Sequence, residues 1–350
     1  MRRIIEGKGA ARGARNSSPE GPQSAARSPP LAVQRVRVDE GGEGQRLDNF
    51  LIGHWKGVPK THVYRVIRSG EVRVNRGRAA ADTRLALGDE LRLPPVRRAL
   101  PPDERPAAVP AREFPVVWED DALIAVDKPA GVAVHGGSGV AFGVIEQLRR
   151  ARPGARFLEL VHRLDKETSG LLLVAKKRSA LLALQQQFRD RETGKTYAAL
   201  VAGAWPASRK VIDLALHKTQ DASGERHVRV VDAGHADGRR SISLVAVAAA
   251  WPAFTLLDVT IKTGRTHQIR VHLAHEGHPI VGDPKYGDFE LNRSLARGTR
   301  ADGLRCARMM LHARRLRFEH PASGEAIELE APLPAEFGSL MQSLGPARAR

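Results

Sequence analysis

One cysteine, Cys306, occurs in 350 residues. A single thiol cannot form an internal disulfide, so no covalent staple holds this fold, which suits a reducing compartment. Cys306 sits in RCARMM among apolar neighbours, where a small packed side chain is the expected role rather than a nucleophile. Long apolar runs are also missing. The longest, LVAVAAAW from Leu244 to Trp251, is far too short to span a bilayer, so no membrane partner is expected. No apolar segment follows the N-terminal arginines, and no secretory signal is expected. Nucleotide and hydrolase signatures are missing too. There is no Walker loop, no GxGxxG after a strand, no GxSxG and no HExxH, and the GKT at 194–196 lacks the upstream glycine of a phosphate loop. Acidic side chains fall short of basic ones, 39 against 56, for a net charge of +17. That excess points to a polyanionic partner, because each neutralised phosphate releases counterions.

What is present is enough for two domains. The apolar share is 42%, which supports a sizeable core and excludes wholesale disorder. Residues 1–33 are rich in Arg, Ala, Gly, Ser and Pro and read as a disordered basic tail; an Arg-rich, acid-poor start also suits an organelle transit peptide. Residues 34–93 form a small unit. RLDNFLIGHW predicts a helix with Leu47, Phe50, Leu51 and His54 on one side. KTHVYRVIRSG predicts a second, with a Val63, Val66, Ile67 stripe and Gly70 as its C-terminal cap. EVRVN predicts a strand, and one or two more follow in TRLALGDELRL. Between Arg35 and Arg98 there are 14 Lys or Arg against 8 Asp or Glu. The polar positions of the second helix, Lys60, Arg65 and Arg68 among them, are nearly all positive, which favours a phosphate-tracking surface over an ordinary solvated face. Residues 94–113 carry six prolines and read as a stiff linker. Residues 114–335 then mix strands and helices without strict alternation, an α+β pattern rather than a doubly wound parallel sheet, and residues 336–350 close the chain as a helix or tail. In the larger unit, Ser179 is a candidate cap for a helix carrying Leu181, Leu184 and Phe188.

The stretch VHRLDKETSGLLLVAKK, 161–177, stands out. Apolar runs on both sides read as buried strands, yet four charges lie between them. The plain reading is that Arg163 or Lys166 pairs with Asp165 and pins a turn. The buried roots of that turn and the adjacent TSG argue instead for a carboxylate aimed at something, because a desolvated charge needs a reason. Such a carboxylate beside one cation is a good nucleophile toward an electrophilic carbon. Glu167 invites a paired-carboxylate glycosidase reading, but in a turn the two need not converge. Lys195 and Tyr197 share one strand face. Tyr197 could stack on a base or simply fill the core. His267, His272, His275 and His278 suggest zinc by number, yet no Cys or carboxylate completes a set, so no metal is expected. Arg265 or Arg270 could hold Asp165 ionised. Taken alone, these residues describe a basic, metal-free protein acting on a base or sugar in RNA after base flipping, with the reaction type open.

HRLDKETSG, KTY and GRTHQIRVHLAHEGHPIVGD together resemble the RluA-type family of RNA pseudouridine synthases. The likeness runs from VDKPAGVAVHGG to LHARRLRFEHP, nearly all of the larger unit, and the smaller unit resembles an S4 RNA-binding domain. The resemblance implies a mainly antiparallel mixed sheet in the catalytic domain. It implies conversion of specific uridines of large-subunit ribosomal RNA to pseudouridine, without cofactor or metal, by a monomer in the bacterial cytoplasm. Asp165 matches the catalytic Asp, which attacks the ribose or assists glycal formation. Tyr197 matches the Tyr that stacks on the base, Arg270 the Arg that pairs with the Asp, and Arg163 the residue that fills the stack when the nucleotide flips out. His162, Thr168, Lys195, Arg265 and His267 are further candidate substrate contacts, and Lys60, Arg65 and Arg68 candidate RNA contacts. GRRSISLV departs from the family, which has a small residue and a Thr after a Gly-Lys turn; the serines keep the hydroxyl character. The rival reading is an rRNA-binding or assembly factor with no catalysis, but such a protein has no need of an intact HRLD, Tyr197 and Arg270 together.

Overall fold

The computed structural model describes residues 33–39, 41–55, 58–96, 109–136, 140–220 and 226–347. The basic tail, apart from Val33, and the stretch 97–108 of the Pro-rich segment lie outside the described residues.

The smaller unit runs β1 (Gln34–Arg37), α1 (Leu47–His54), α2 (Lys60–Arg68), β2 (Arg73–Val74) and β3 (Glu90–Leu93). Its antiparallel sheet has the order β1-β3-β2. Leu47 and Leu51 of α1 meet Val63, Val66 and Ile67 of α2, with Leu91 and Leu93 of the sheet closing the core. Phe50 packs at its edge only partly buried. Gly70 ends α2 at φ +74°, a left-handed position that glycine adopts without strain. Lys60, Arg65 and Arg68 are all exposed on the outer face of α2.

The larger unit continues with β4 (Val116–Glu119), β5 (Leu123–Lys128), α3 (Val144–Ala151), β6 (Glu159–Leu160), β7 (Ser169–Ala175) and α4 (Arg178–Asp190). β8 (Gly194–Ala202), β9 (Val211–Gln220), β10 (Arg226–Val231), β11 (Arg239–Ala250) and β12 (Phe254–Ile261) follow. Then come α5 (Gln268–His275), α6 (Phe289–Arg297), β13 (Leu311–Glu319), β14 (Ala326–Glu330) and α7 (Ala335–Ser343). The strands form one sheet of order β10-β9-β11-β12-β8-β13-β7-β5-β4, with β14 on β13 and β6 on β7. Every pairing is antiparallel except β13 with β7, so the sheet is mixed and mostly antiparallel. α4 starts one residue before the expected cap: Lys177 is the N-cap in extended backbone, and Ser179 falls inside the first turn.

β7 explains why LLLVA reads as an unbroken apolar run. Leu171, Leu173 and Ala175 pack toward Ala180, Leu181 and Leu184 of α4. Leu172 and Val174 point the other way, toward Ile145 and Leu148 of α3. Both faces are covered, so alternation disappears. Each fully buried Leu contributes about 1.5–3 kcal/mol relative to exposure, and this anchors the strand that carries the charged turn. Gly170 sits at φ +109°, and a Cβ there would come within 2.3 Å of the Ala313 carbonyl oxygen. The TSG glycine is therefore what allows the β7–β13 seam to close.

Candidate active site

Asp165 lies in the turn between β6 and β7, half-buried at 22% side-chain exposure. Backbone contacts hold that turn. The Thr168 N–H donates to the Asp165 carbonyl at 3.2 Å, and the Gly131 N–H donates to the Lys166 carbonyl at 2.9 Å. Lys128 is wholly buried. Its Nζ donates to the carbonyls of Pro129, Val132 and Lys166 at 2.9, 2.8 and 3.1 Å, which ties the DKPAG loop to the charged turn. Burial pushes its pKa down to about 7, against the pull of Glu167 and Asp165.

The cation beside Asp165 is Arg270, on α5. Its Nη1 donates to Asp165 Oδ2 at 3.3 Å. Neither of the nearer cations takes that role: Arg163 is exposed, and Lys166 Nζ lies 4.0 Å from Glu167. Arg265 is exposed too, so of the two arginines left open by the sequence it is Arg270 that reaches the carboxylate. Arg270 is 5% exposed and holds a second carboxylate, one the sequence reading passed over. Its Nε and Nη2 donate to the two oxygens of Asp283, each at 2.8 Å. Burial alone would raise Asp283, but the guanidinium and the N–H groups of Tyr286 and Lys285 outweigh it and hold the carboxyl below its usual range.

His267 Nε2 lies 3.9 Å from Asp165 Oδ2. Its backbone is left-handed at φ +52°, a strained setting for a non-glycine residue, just before α5 begins. Its Nδ1 is 2.9 Å from the Tyr286 hydroxyl, which itself accepts the Val228 N–H at 3.2 Å. Burial lowers the His267 pKa, so the ring is neutral at pH 7. Tyr197 comes in from β8. Burial first, then the charge of Asp165, push its hydroxyl well above the usual range, so it stays protonated.

Arg163, Asp165, Thr168, Tyr197, Arg265, His267 and Arg270 all line one cavity of about 140 Å³. That is close to the ~150 Å³ of a cavity known to take up benzene, so one flat ring fits. A wider cleft of about 530 Å³ adjoins it, sharing Arg163, Tyr197 and Arg265 and adding His162 and Lys195. His162 Nε2 accepts the Leu173 N–H at 3.1 Å, and its ring stacks on Phe188 with centroids 4.8 Å apart. Burial lowers its pKa to about 4. Lys195 donates to Thr193 Oγ1 and lies over the Phe188 ring. Lys60, Arg65 and Arg68 lie in the smaller unit and line neither cavity. Glu167 is likewise absent from the cavity wall, so no carboxylate pair faces one bond there.

The four histidines of 267–278 diverge. His272 Nδ1 meets Ser243 Oγ, His278 Nδ1 meets the Ala202 carbonyl, and His275 is exposed. Among the described residues, one group has metal-ligand spacing: His217, His235 and Asp237, with ligand atoms within 4.8 Å of one another. His235 Nδ1 accepts the Asp237 N–H at 3.2 Å, so that lone pair is already engaged. None of the three lines the Asp165 cavity.

Sequence comparison matches residues 122–275 to the family model described as RNA pseudouridylate synthase. The ribosomal large subunit pseudouridine synthase C of Haemophilus influenzae is 46% identical over 317 residues, covering 89% of this chain and 95% of that protein. The protein of the same name from Escherichia coli K12 is 46% identical over 325 residues, covering 92% of this chain and 99% of that protein. Among solved structures, human RNA pseudouridylate synthase domain containing 4 aligns with a TM-score of 0.53 at 26% identity, over 65% of this chain and 92% of that one. Human RNA pseudouridylate synthase domain containing 1 gives 0.52 at 27%, over 68% and 97%. By sequence and fold, the chain belongs to the RNA pseudouridine synthases, in the RluA-type family with the ribosomal large-subunit enzymes.

Proposed function

We propose that this protein isomerises specific uridines of large-subunit ribosomal RNA to pseudouridine, with Asp165 as the carboxylate that acts on the ribose. One observation carries the assignment to Asp165: its carboxylate is gripped by the buried Arg270 on the wall of a cavity sized for a single ring and shared with Tyr197. The substrate class follows the names of the relatives that match almost the whole chain.

The reaction breaks the bond from ribose C1′ to N1 of uracil and forms one from C1′ to C5. A proton leaves C5 and N1 gains one, so atoms and electrons balance without an outside reagent. A base inside a duplex cannot reach a cavity this small, so the nucleotide swings out, and Arg163, exposed on the cavity wall, fills the gap it leaves. Arg270 keeps a positive charge against the Asp165 carboxylate as it works at the sugar. Tyr197 offers its ring as the stacking face for the detached uracil. In the smaller unit, the exposed Lys60, Arg65 and Arg68 of α2 act as phosphate contacts of an S4-type RNA-binding domain, which docks rRNA without reading the target base.

Pseudouridine mapping of large-subunit rRNA, from cells with and without the gene, tests this reading. Specific positions must lose the modification when the gene is deleted and regain it with the wild-type chain. An unchanged map refutes the assignment. Purified protein must also convert those positions in the presence of EDTA, as an isomerase with no metal requirement does.

A further inference from the structure

We propose that the turn Asp283-Pro284-Lys285-Tyr286 is the positioning element of the site, setting the two groups that flank the Asp165 carboxylate. This rests on Asp165 being the catalytic carboxylate.

Arg270 alone does not have a unique pose. A guanidinium on a long side chain presents five N–H donors and several rotamers. Asp283 removes that freedom. By taking Nε and Nη2 at 2.8 Å each, it clamps one edge of the plane and leaves Nη1 facing Asp165. The Tyr286 ring lies 5.1 Å from the Arg270 Cζ and supports the guanidinium from its face. Asp283 has little freedom itself. Its Oδ1 also accepts the N–H groups of Lys285 and Tyr286, at 2.8 and 3.0 Å.

The same turn sets His267. The Tyr286 hydroxyl accepts the Val228 N–H, so its own proton is free for His267 Nδ1, 2.9 Å away. With the hydroxyl as donor in that contact, the imidazole proton sits on Nε2, the atom facing Asp165 Oδ2 at 3.9 Å. The opposite tautomer would aim a lone pair at a carboxylate. Tyr286 thus selects the form that favours the negative charge of Asp165, and the gap closes by a small shift or through one water.

The turn is rigidly seated. Asn292 of α6 donates from Nδ2 to the Asp283 carbonyl at 2.9 Å and accepts the Gly282 N–H at 2.7 Å. Gly282 sits at φ +75°, and a Cβ there would lie 1.9 Å from the Arg308 carbonyl oxygen. Asp283 and Tyr286 do not line the cavity, so they act through Arg270 and His267 and are positioning residues, not catalytic ones.

The test compares wild type, Asp283→Asn and Tyr286→Phe on one rRNA transcript. It measures the single-turnover rate of pseudouridine formation at saturating enzyme, the RNA dissociation constant and the thermal midpoint. Asp283→Asn loses one charge-assisted clamp, so its rate falls about ten- to hundredfold, while the dissociation constant stays within about threefold because no phosphate contact is touched. Tyr286→Phe, which keeps the ring and removes only the hydroxyl, lowers the rate about tenfold on the same grounds. It remains informative if Asp283→Asn does not fold. In the Arg270→Lys background, Asp283→Asn has a much smaller further effect, since the clamp no longer has its fork to hold. Wild-type rates in both variants overturn the proposal. So does a loss that appears wholly in RNA affinity, or one that is fully additive with Arg270→Lys. A wild-type protein that forms no pseudouridine overturns the functional reading instead, which separates the two failures.

Discussion

Replacing Arg270 with Met removes the cation that Asp165 and Asp283 share. Asp283 is 1% exposed and Arg270 5%, so this is a buried pair, and stranding its acid costs about 3–5 kcal/mol. Asp283 keeps two backbone N–H donors, from Lys285 and Tyr286, and Asp165 at 22% exposure can turn toward water. The lower end of the range, about 3 kcal/mol, is therefore expected at neutral pH. The pH dependence has a definite sign. In the wild type the Asp283 pKa is depressed, so its stabilising contribution is present above the unfolded carboxyl pKa of about 4 and is lost as pH falls through the folded value. Without Arg270, burial dominates and the pKa rises, so protonation at mildly acid pH relieves the stranded charge. The gap between wild type and variant must therefore narrow from pH 7.5 to pH 5. Urea unfolding followed by tryptophan fluorescence at both values measures it. A loss under about 1 kcal/mol at pH 7.5, where a buried pair demands more, or a loss independent of pH, refutes the reasoning.

Three further outcomes follow from particular contacts. Gly170→Ala should destabilise the protein by about 2 kcal/mol or more and lower activity with it, because a left-handed backbone and a clash with the Ala313 carbonyl coincide at the root of the catalytic turn; denaturation at wild-type stability would remove that argument. His272 is wholly buried with its pKa lowered to about 4 by burial, so the unfolded chain binds a proton there that the folded one does not. Its contribution to stability should accordingly drop by about 1.4 kcal/mol per pH unit between pH 6.5 and 4, alongside those of His162 and His312, which burial lowers in the same way; His272→Gln should make the overall slope shallower by about that one share, and an identical slope contradicts it. The triple substitution Lys60→Gln, Arg65→Gln, Arg68→Gln should reduce the slope of log affinity against log salt by about 2 for single-stranded target RNA, and an unchanged slope means that α2 touches no phosphate.

Much of this site is written locally in the chain. The apolar run after the four charges marks the turn of Asp165, because a strand covered on both faces has no polar alternation to hide behind; the run before them, expected as a second buried strand, forms only the two-residue β6, with Glu159 exposed and Leu160 half-buried. The stripe of α2 is equally plain, since Val63, Val66 and Ile67 repeat at helical spacing and all three are buried. What sequence pattern does not reveal is which distant group answers a charge. Arg265 and Arg270 look equivalent in GRTHQIR; they separate because α5 begins only at Gln268, after a left-handed His267, and that turn aims Arg270 inward while Arg265 stays exposed. Asp283 reads as ordinary turn chemistry in VGDPKYG, and its backbone contacts to Lys285 and Tyr286 fit that reading. Only tertiary packing adds Arg270 to it. Lys128 in DKPAG is hidden for a related reason, since its partners are backbone carbonyls, which leave no trace in side-chain identity.

The most direct measurement is the conversion of target uridines by Asp165→Asn beside wild type, on one rRNA transcript, with RNA affinity measured in parallel. The account predicts no detectable pseudouridine and an affinity within about a factor of ten of wild type, because an amide of the same shape keeps the phosphate contacts and removes the chemistry. Substantial turnover by the variant would contradict it.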